Sequence, residues 1–191
     1  REMGIRRLMA INLMKRMESS VYSFNLTLRR IKDLIDNTIS LIDHYELYVG
    51  TKIDLTDISD ADEYDLDDQN SADFASIGKK VQIDLADMDR ISWRAALAED
   101  QEILELLTLL VDDITPEHDS KLQKVITEKI WHPINDGNQK ILIFTAFADT
   151  AMYLYDQVSG FVKKNFGLNT AVITGSVEGR TTAKLKKADM N

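Results

Sequence analysis

Apolar residues recur at steps of three and four along the first part of the chain: Met14, Met17, Val21, Phe24, Leu28, Ile31, Ile35, Ile42 and Tyr45, with Thr38 holding the register between the last isoleucines. That spacing puts them on one face of an α-helix. No Pro interrupts it, and no Gly after Gly4. It predicts one continuous helix over about residues 3–47, roughly 65 Å long at 1.5 Å per residue, with Gly50 as a stop. So long a stripe needs a partner helix to cover it. A second helical pattern supplies one between Val81 and Ile114, through Leu85, Met88, Ile91, Leu97, Ile103, Leu104, Leu107, Leu110 and Val111. Residues 1–53 and 81–133 are therefore expected to form the two arms of a long antiparallel helical hairpin. Thr115-Pro116 predicts a helix restart, with Thr115 as cap and Pro116 at the first helical position. Its buried face holds Leu122, Val125, Ile126 and Ile130, and His132-Pro133 ends it.

The period changes after the turn signal Asn135-Asp136-Gly137-Asn138. Lys140–Thr145 is a short apolar run of the kind that makes a strand buried on both faces. A helix follows with Ala151, Leu154, Tyr155, Val158, Phe161 and Val162 inward, and Asn165 to Gly167 turns the chain into a second apolar strand, Thr170–Thr174. Strand, helix and strand with short links predict a βαβ unit with parallel strands. Two strands do not complete a sheet, so residues 134–191 are expected to be the truncated start of a domain. With an opening Arg rather than Met, this makes the chain an expected piece of something larger. The expected fold class is α + α/β: a long antiparallel helical hairpin followed by an incomplete parallel β/α module.

Charge alters this picture in one place. The chain is 191 residues long with a net charge of -9, but the first 32 residues hold eight Lys/Arg against two Glu, and residues 33–73 hold thirteen Asp/Glu against Lys52 alone. Within the latter, Asp54–Asp73 (DLTDISDADEYDLDDQNSAD) has no basic residue and few large apolar ones, which predicts a mobile acidic loop over about 54–80. Its carboxylates at Asp60, Asp62 and Asp65 recur as in a calcium loop. The sharp-turn Gly is missing, however, and Ser76 or Gly78 stands where a bidentate Glu should close the site. Asp62-Glu63-Tyr64-Asp65 spells the DExD of a helicase magnesium motif without the buried strand that must hold it. Both are set aside, and no metal ligand is assigned. A 44% hydrophobic content suits a soluble globular chain, and no apolar run spans a bilayer. The absence of cysteine excludes disulfides and thiolate metal sites and fits a reducing cytoplasm.

Candidate chemistry is sparse. GxxxxGK[ST], HExxH and GxSxG are all absent. His44, His118 and His132 are widely separated and read as surface or packing residues. Loops after parallel strands are where ligands bind; those here are Thr145–Thr150 and Thr174–Arg180. Thr145, Thr150, Thr174 and Ser176 carry hydroxyls and Arg180 a fork suited to phosphates. The plainer alternative is that Thr145 and Thr150 cap the helix while Gly175 and Gly179 permit turns.

Asn138–Leu154 (NQKILIFTAFADTAMYL) resembles the fourth helicase motif that opens the C-terminal lobe of Swi/Snf-type (RapA-like) members of helicase superfamily two. Asp119-Ser-Lys-Leu122 with Val125-Ile126 resembles the short helix entering that lobe. Leu13–Ser20 (LMKRMESS) resembles a helical stretch between the lobes in bacterial members, and Thr174-Gly175 stands where the family has a Thr-Gly or His-Gly pair. The resemblance covers most of the chain in order, apart from the acidic loop. It implies a two-lobed RecA-like motor that hydrolyses ATP with Mg2+ and pulls on nucleic acid, double-stranded DNA above all, in a bacterial-type cytoplasm. This chain then supplies the inter-lobe connector and the start of the second lobe. Thr145, Phe147, Thr174 and Gly175 are implied along the nucleic-acid track; Arg180 is a further nucleic-acid candidate from its fork and loop position alone. Lys15, Arg16, Arg29 and Arg30 are candidates for duplex contact, or else the solvated face of an amphipathic helix. The first lobe's phosphate loop and DExH carboxylates are absent, so this chain alone is expected to hold no ATP, no Mg2+ and no catalytic residue. An exposed strand edge also predicts self-association. The alternative reading is a non-enzymatic helical-hairpin interaction module with a small α/β appendage.

Overall fold

The protein was analysed as a computed structural model, which describes residues 2–45, 52–54, 82–84, 89–175 and 178–184. These are mostly helical, with two short antiparallel ribbons. The chain divides into two units. One comprises Arg1–Lys15 with Phe24–Asp113, the other Arg16–Ser23 with Ile114–Asn191. The acidic stretch beyond Asp54, its DEYD and calcium-like carboxylates, and the Gly50 stop all lie outside the described residues.

In the first unit, α2 (Val21–Asp43) runs antiparallel to α3 (Arg90–Asp112). Asn25 and Arg29 reach Asp112 at 2.8 and 2.6 Å, and Lys32 lies 3.5 Å from Glu105. Further along, Gln101 donates to Asp36 at 2.6 Å and Arg94 to Asp43 at 2.5 Å. As numbers rise on α2 they fall on α3, which is the signature of a hairpin. The same register continues into the ribbon of β1 (Lys52–Asp54) and β2 (Gln82–Asp84), where Lys52 faces Asp84 and Asp54 faces Gln82. Leu28, Ile35, Thr38 and Ile42 are buried, as the stripe predicts. Ile42 packs with Leu41, Tyr45 and Leu97, and the Arg90 guanidinium lies 3.8 Å from the Tyr45 ring centre.

Three boundaries differ from expectation. The first arm is not one helix: α1 (Glu2–Ser19) ends before α2 begins at Val21. The apolar stripe passes through this point unbroken. The break arises because the Ser20 hydroxyl accepts the Ser23 N–H at 3.0 Å, a cap made where periodicity shows none. The second arm begins at Arg90, capped by the Asp89 carboxylate on the Ser92 N–H, and residues 82–84 are strand instead. Thr115 and Pro116 form only a turn; Asp119, accepting the Leu122 N–H at 2.9 Å, starts the next helix at Ser120.

That helix, α4 (Ser120–Lys124), passes into a π-wound segment (Val125–Trp131) and then α5 (His132–Asn135). Pro133 therefore does not end it. In the π register the His132 N–H bonds five residues back to Thr127, and the wider turn absorbs the proline, which has no N–H to place. α6 (Ala148–Phe166) ends at Gly167 in the left-handed conformation, φ 68°. Val158 and Val162 of α6 join Ile130 in the core of the second unit, with Val125, Ile126, Ile134, Ile141, Phe161 and Leu168 around them. The Trp131, Phe161 and Phe166 rings close its edge.

The expected parallel strands take another form. Residues 140–145 pair with no strand among the described residues. Of Thr170–Thr174, only β3 (Ala171–Val172) is a strand, antiparallel to β4 (Arg180–Thr181). Leu142, Phe144 and Ile173 are 83, 89 and 87% exposed, so the apolar run that predicts a doubly buried strand has little covering it. Among the described residues no helix is long and apolar enough to cross a membrane.

The hairpin carries a pH dependence. Lys32 holds the Asp36 carboxyl below its ordinary range, Arg94 does the same for Asp43, and Asn25 then Arg29 for Asp112. A depressed folded-state value stabilises the fold above the unfolded value of about 4 and is lost as pH falls through the folded one. Thermal stability of the hairpin should therefore be level at neutral pH and fall from about pH 4 downward. A melting temperature unchanged down to acid pH would contradict this.

Candidate functional site

The entry to α6 is built from residues far apart in the chain. Phe147 precedes the helix in an extended conformation and offers no side-chain cap; the Thr145 hydroxyl instead accepts the Phe147 N–H at 3.4 Å. Asp149 occupies the first turn, where a carboxylate meets the positive end of the helix dipole. The Arg16 guanidinium lies against it, 3.3 Å from Asp149 Oδ2, 3.3 Å from Ser23 Oγ and 4.8 Å from the Phe147 ring centre. Arg16 is only 3% exposed. Burial of a guanidinium is costly unless it is paired and hydrogen-bonded, and here it is both.

Hydroxyls extend the network. Ser19 Oγ lies 3.2 Å from Thr145 Oγ1 and 2.9 Å from Thr150 Oγ1, and Ser20 Oγ lies 3.0 Å from Thr150 Oγ1. Thr145 thus serves the helix start through the Phe147 N–H, and Thr145 and Thr150 both join it to the α1–α2 break. One turn further on, the Tyr153 phenol donates to Asp119 Oδ2 at 3.1 Å, while Tyr22 stacks on the Tyr153 ring at 4.7 Å. Burial first, and the Asp119 carboxylate second, push the Tyr153 phenol well above its ordinary value. Lys121 Nζ donates to the Glu18 carbonyl. Arg16, Ser20, Ser23, Asp119 and Thr150 are all buried polar residues, and each has a hydrogen-bond partner within this unit.

Of the residues singled out from sequence, Arg16, Thr145 and Phe147 are brought together, but facing inward. Arg16 belongs neither to a solvated helix face nor to an outward duplex-facing one. Lys15 is exposed and Arg30 half-buried, both in the first unit. Thr174 is half-buried and Gly175 exposed. Arg180 is half-exposed, with its guanidinium 3.1 Å from Asp156 and 5.0 Å from the Tyr155 ring centre. A Cβ added to Gly175 would meet open space, whereas one on Gly179 would sit 3.3 Å from the Val172 carbonyl oxygen, so the close approach is at Gly179. His44 and His118 make local bonds, to the Ser40 carbonyl and the Thr115 hydroxyl. No group of metal-ligating side chains gathers among the described residues.

Sequence reasoning missed Ser19, Ser20, Ser23, Asp149 and Tyr153 as partners. A signal exists in hindsight. Arg16, Ser20 and Ser23 recur at steps of four and three, a polar stripe of mostly small side chains that lets another element approach closely. No family model matches the chain, and neither a curated protein nor a solved structure matches it.

Proposed function

We propose that this chain is part of an ATP-dependent nucleic-acid translocase of the Swi/Snf type, contributing the inter-lobe connector and the opening of the second RecA-like lobe. The observation that carries the reading is a convergence. The three stretches that resemble the family, 13–20, 119–126 and 138–154, meet in one polar cluster through Arg16–Asp149, Ser19–Thr145, Ser19–Thr150, Tyr153–Asp119 and Lys121–Glu18. Sequence resemblance alone requires no such meeting. The exposed apolar side chains Leu142, Phe144 and Ile173 also suit strands whose parallel neighbours come from the rest of a lobe.

In this reading ATP and Mg2+ are held by groups of both lobes of the whole motor, because phosphoryl transfer is positioning and charge stabilisation around one nucleotide. The polar cluster ties the start of α6 to connector residues 16–23, a link through which lobe movement would be passed on. Backbone contacts to duplex fall to exposed or half-exposed groups: Lys15, Arg30, Arg180 and the Thr174-Gly175 turn. Arg16, Thr145 and Phe147 belong instead to the polar cluster of the second unit.

The test is duplex binding by this chain, followed by fluorescence anisotropy at increasing salt. Weak binding that falls with salt is expected. Charge reversal at Lys15 or Arg30 should reduce the magnitude of the salt slope by about 1 each if they meet phosphates. Binding indifferent to salt and to both reversals would remove the nucleic-acid reading.

A further inference from the structure

The hairpin helix α3 has two different faces. Arg94, Leu97, Gln101, Glu105 and Asp112 lie toward α2, as their pairings and packing show. At 3.6 residues per turn, Ile103, Leu106, Leu107 and Leu110 fall within an arc of about 100° on the other side. All four are exposed, Leu106 and Leu110 by 59 and 60%. A contiguous apolar stripe of this kind marks an interaction surface. Asp100, Glu102 and Asp113 flank it at the same pitch, Glu99 lies on its line one turn before Ile103, and no basic residue lies between Glu99 and Asp113.

We infer that this face of α3 docks an amphipathic helix of a partner protein whose apolar stripe is bordered by Lys and Arg. Charge decides between occupants. A second α3 would set acidic margins against acidic margins in either direction, and like charges at an interface cost affinity and specificity. A helix rich in basic residues meets the acidic margins favourably and covers the leucines, in the helix-on-groove manner of peptide recognition. The inference rests on α3 alone and stands whether or not the chain belongs to a translocase.

The probe is a synthetic amphipathic peptide of leucine and lysine, with a leucine and glutamate peptide of the same apolar stripe as reference. Titrated into the chain, the lysine peptide should bind saturably and gain helicity, and the glutamate peptide should bind about tenfold more weakly or worse. Leu106→Glu with Leu110→Glu should weaken lysine-peptide binding by about tenfold or more, with the melting temperature retained because both side chains are exposed. These substitutions add negative charge, so attraction to the chain's acidity alone would grow stronger with them. Glu102→Lys with Asp113→Lys should shift preference toward the glutamate peptide. Unchanged or tighter lysine-peptide binding by the double glutamate variant would overturn the proposal. So would concentration-dependent self-association in sedimentation that this variant abolishes, because the occupant would then be a second copy of the chain.

Discussion

Replacing Asp149 with alanine is expected to destabilise the second unit by about 2–3 kcal/mol, less than the roughly 3–5 kcal/mol typical of breaking a fully buried ion pair because the carboxylate is partly exposed. Arg16 is 3% exposed and its guanidinium lies 3.3 Å from that carboxylate. Without the carboxylate, a buried charge loses this ion-pair partner. The readout is available in the sequence: Trp93 and Trp131 are the chain's two tryptophans, and they fall in different units. In a Trp93→Phe background, Trp131 fluorescence during urea unfolding reports the second unit alone. Adding Arg16→Met to Asp149→Ala should recover part of the loss, because an apolar replacement leaves no charge to solvate. A midpoint unmoved by Asp149→Ala would mean that the pair contributes nothing measurable.

Asp119→Ala should cost a similar amount, for a different reason. Its two carboxylate oxygens do separate work: Oδ1 caps α4 by accepting the Leu122 N–H, and Oδ2 accepts the Tyr153 phenol. Losing the cap costs about 1 kcal/mol, and leaving a buried phenol without its acceptor costs about 1–3 kcal/mol more. Asp119→Asn keeps one acceptor oxygen and should fall between wild type and alanine. Trp131 fluorescence under urea again measures it, and equal loss for Asn and Ala would show that only the charge matters.

These two residues also show what was readable in advance. The inward face of α6 was legible because Ala151, Leu154, Val158, Phe161 and Val162 keep helical spacing and Gly167 supplies the left-handed stop. The hairpin was legible as two long apolar patterns, and the ion pairs between α2 and α3 bear out their direction. The break at Ser20 was not, because Met17, Val21 and Phe24 continue the stripe across it and one side-chain-to-backbone bond decides the matter. Thr115-Pro116 reads as a helix start, yet the helix starts after Asp119, whose carboxylate takes both the local Leu122 N–H and the Tyr153 phenol of α6. The run at 140–145 has the composition of a central strand. Composition reports what a segment can bury, whereas exposure of Leu142 and Phe144 reports what covers it among the described residues. Arg16 beside Lys15 read as one basic pair; the fold sends one inward and the other outward.

The most direct test of the translocase proposal is ATP turnover by the product of the whole natural reading frame, measured with and without duplex DNA. The proposal predicts turnover that depends on duplex and drops when Asp149→Ala loosens the joint between the α1–α2 break and α6. A folded product that binds no nucleotide and turns over no ATP in the presence of duplex would contradict it.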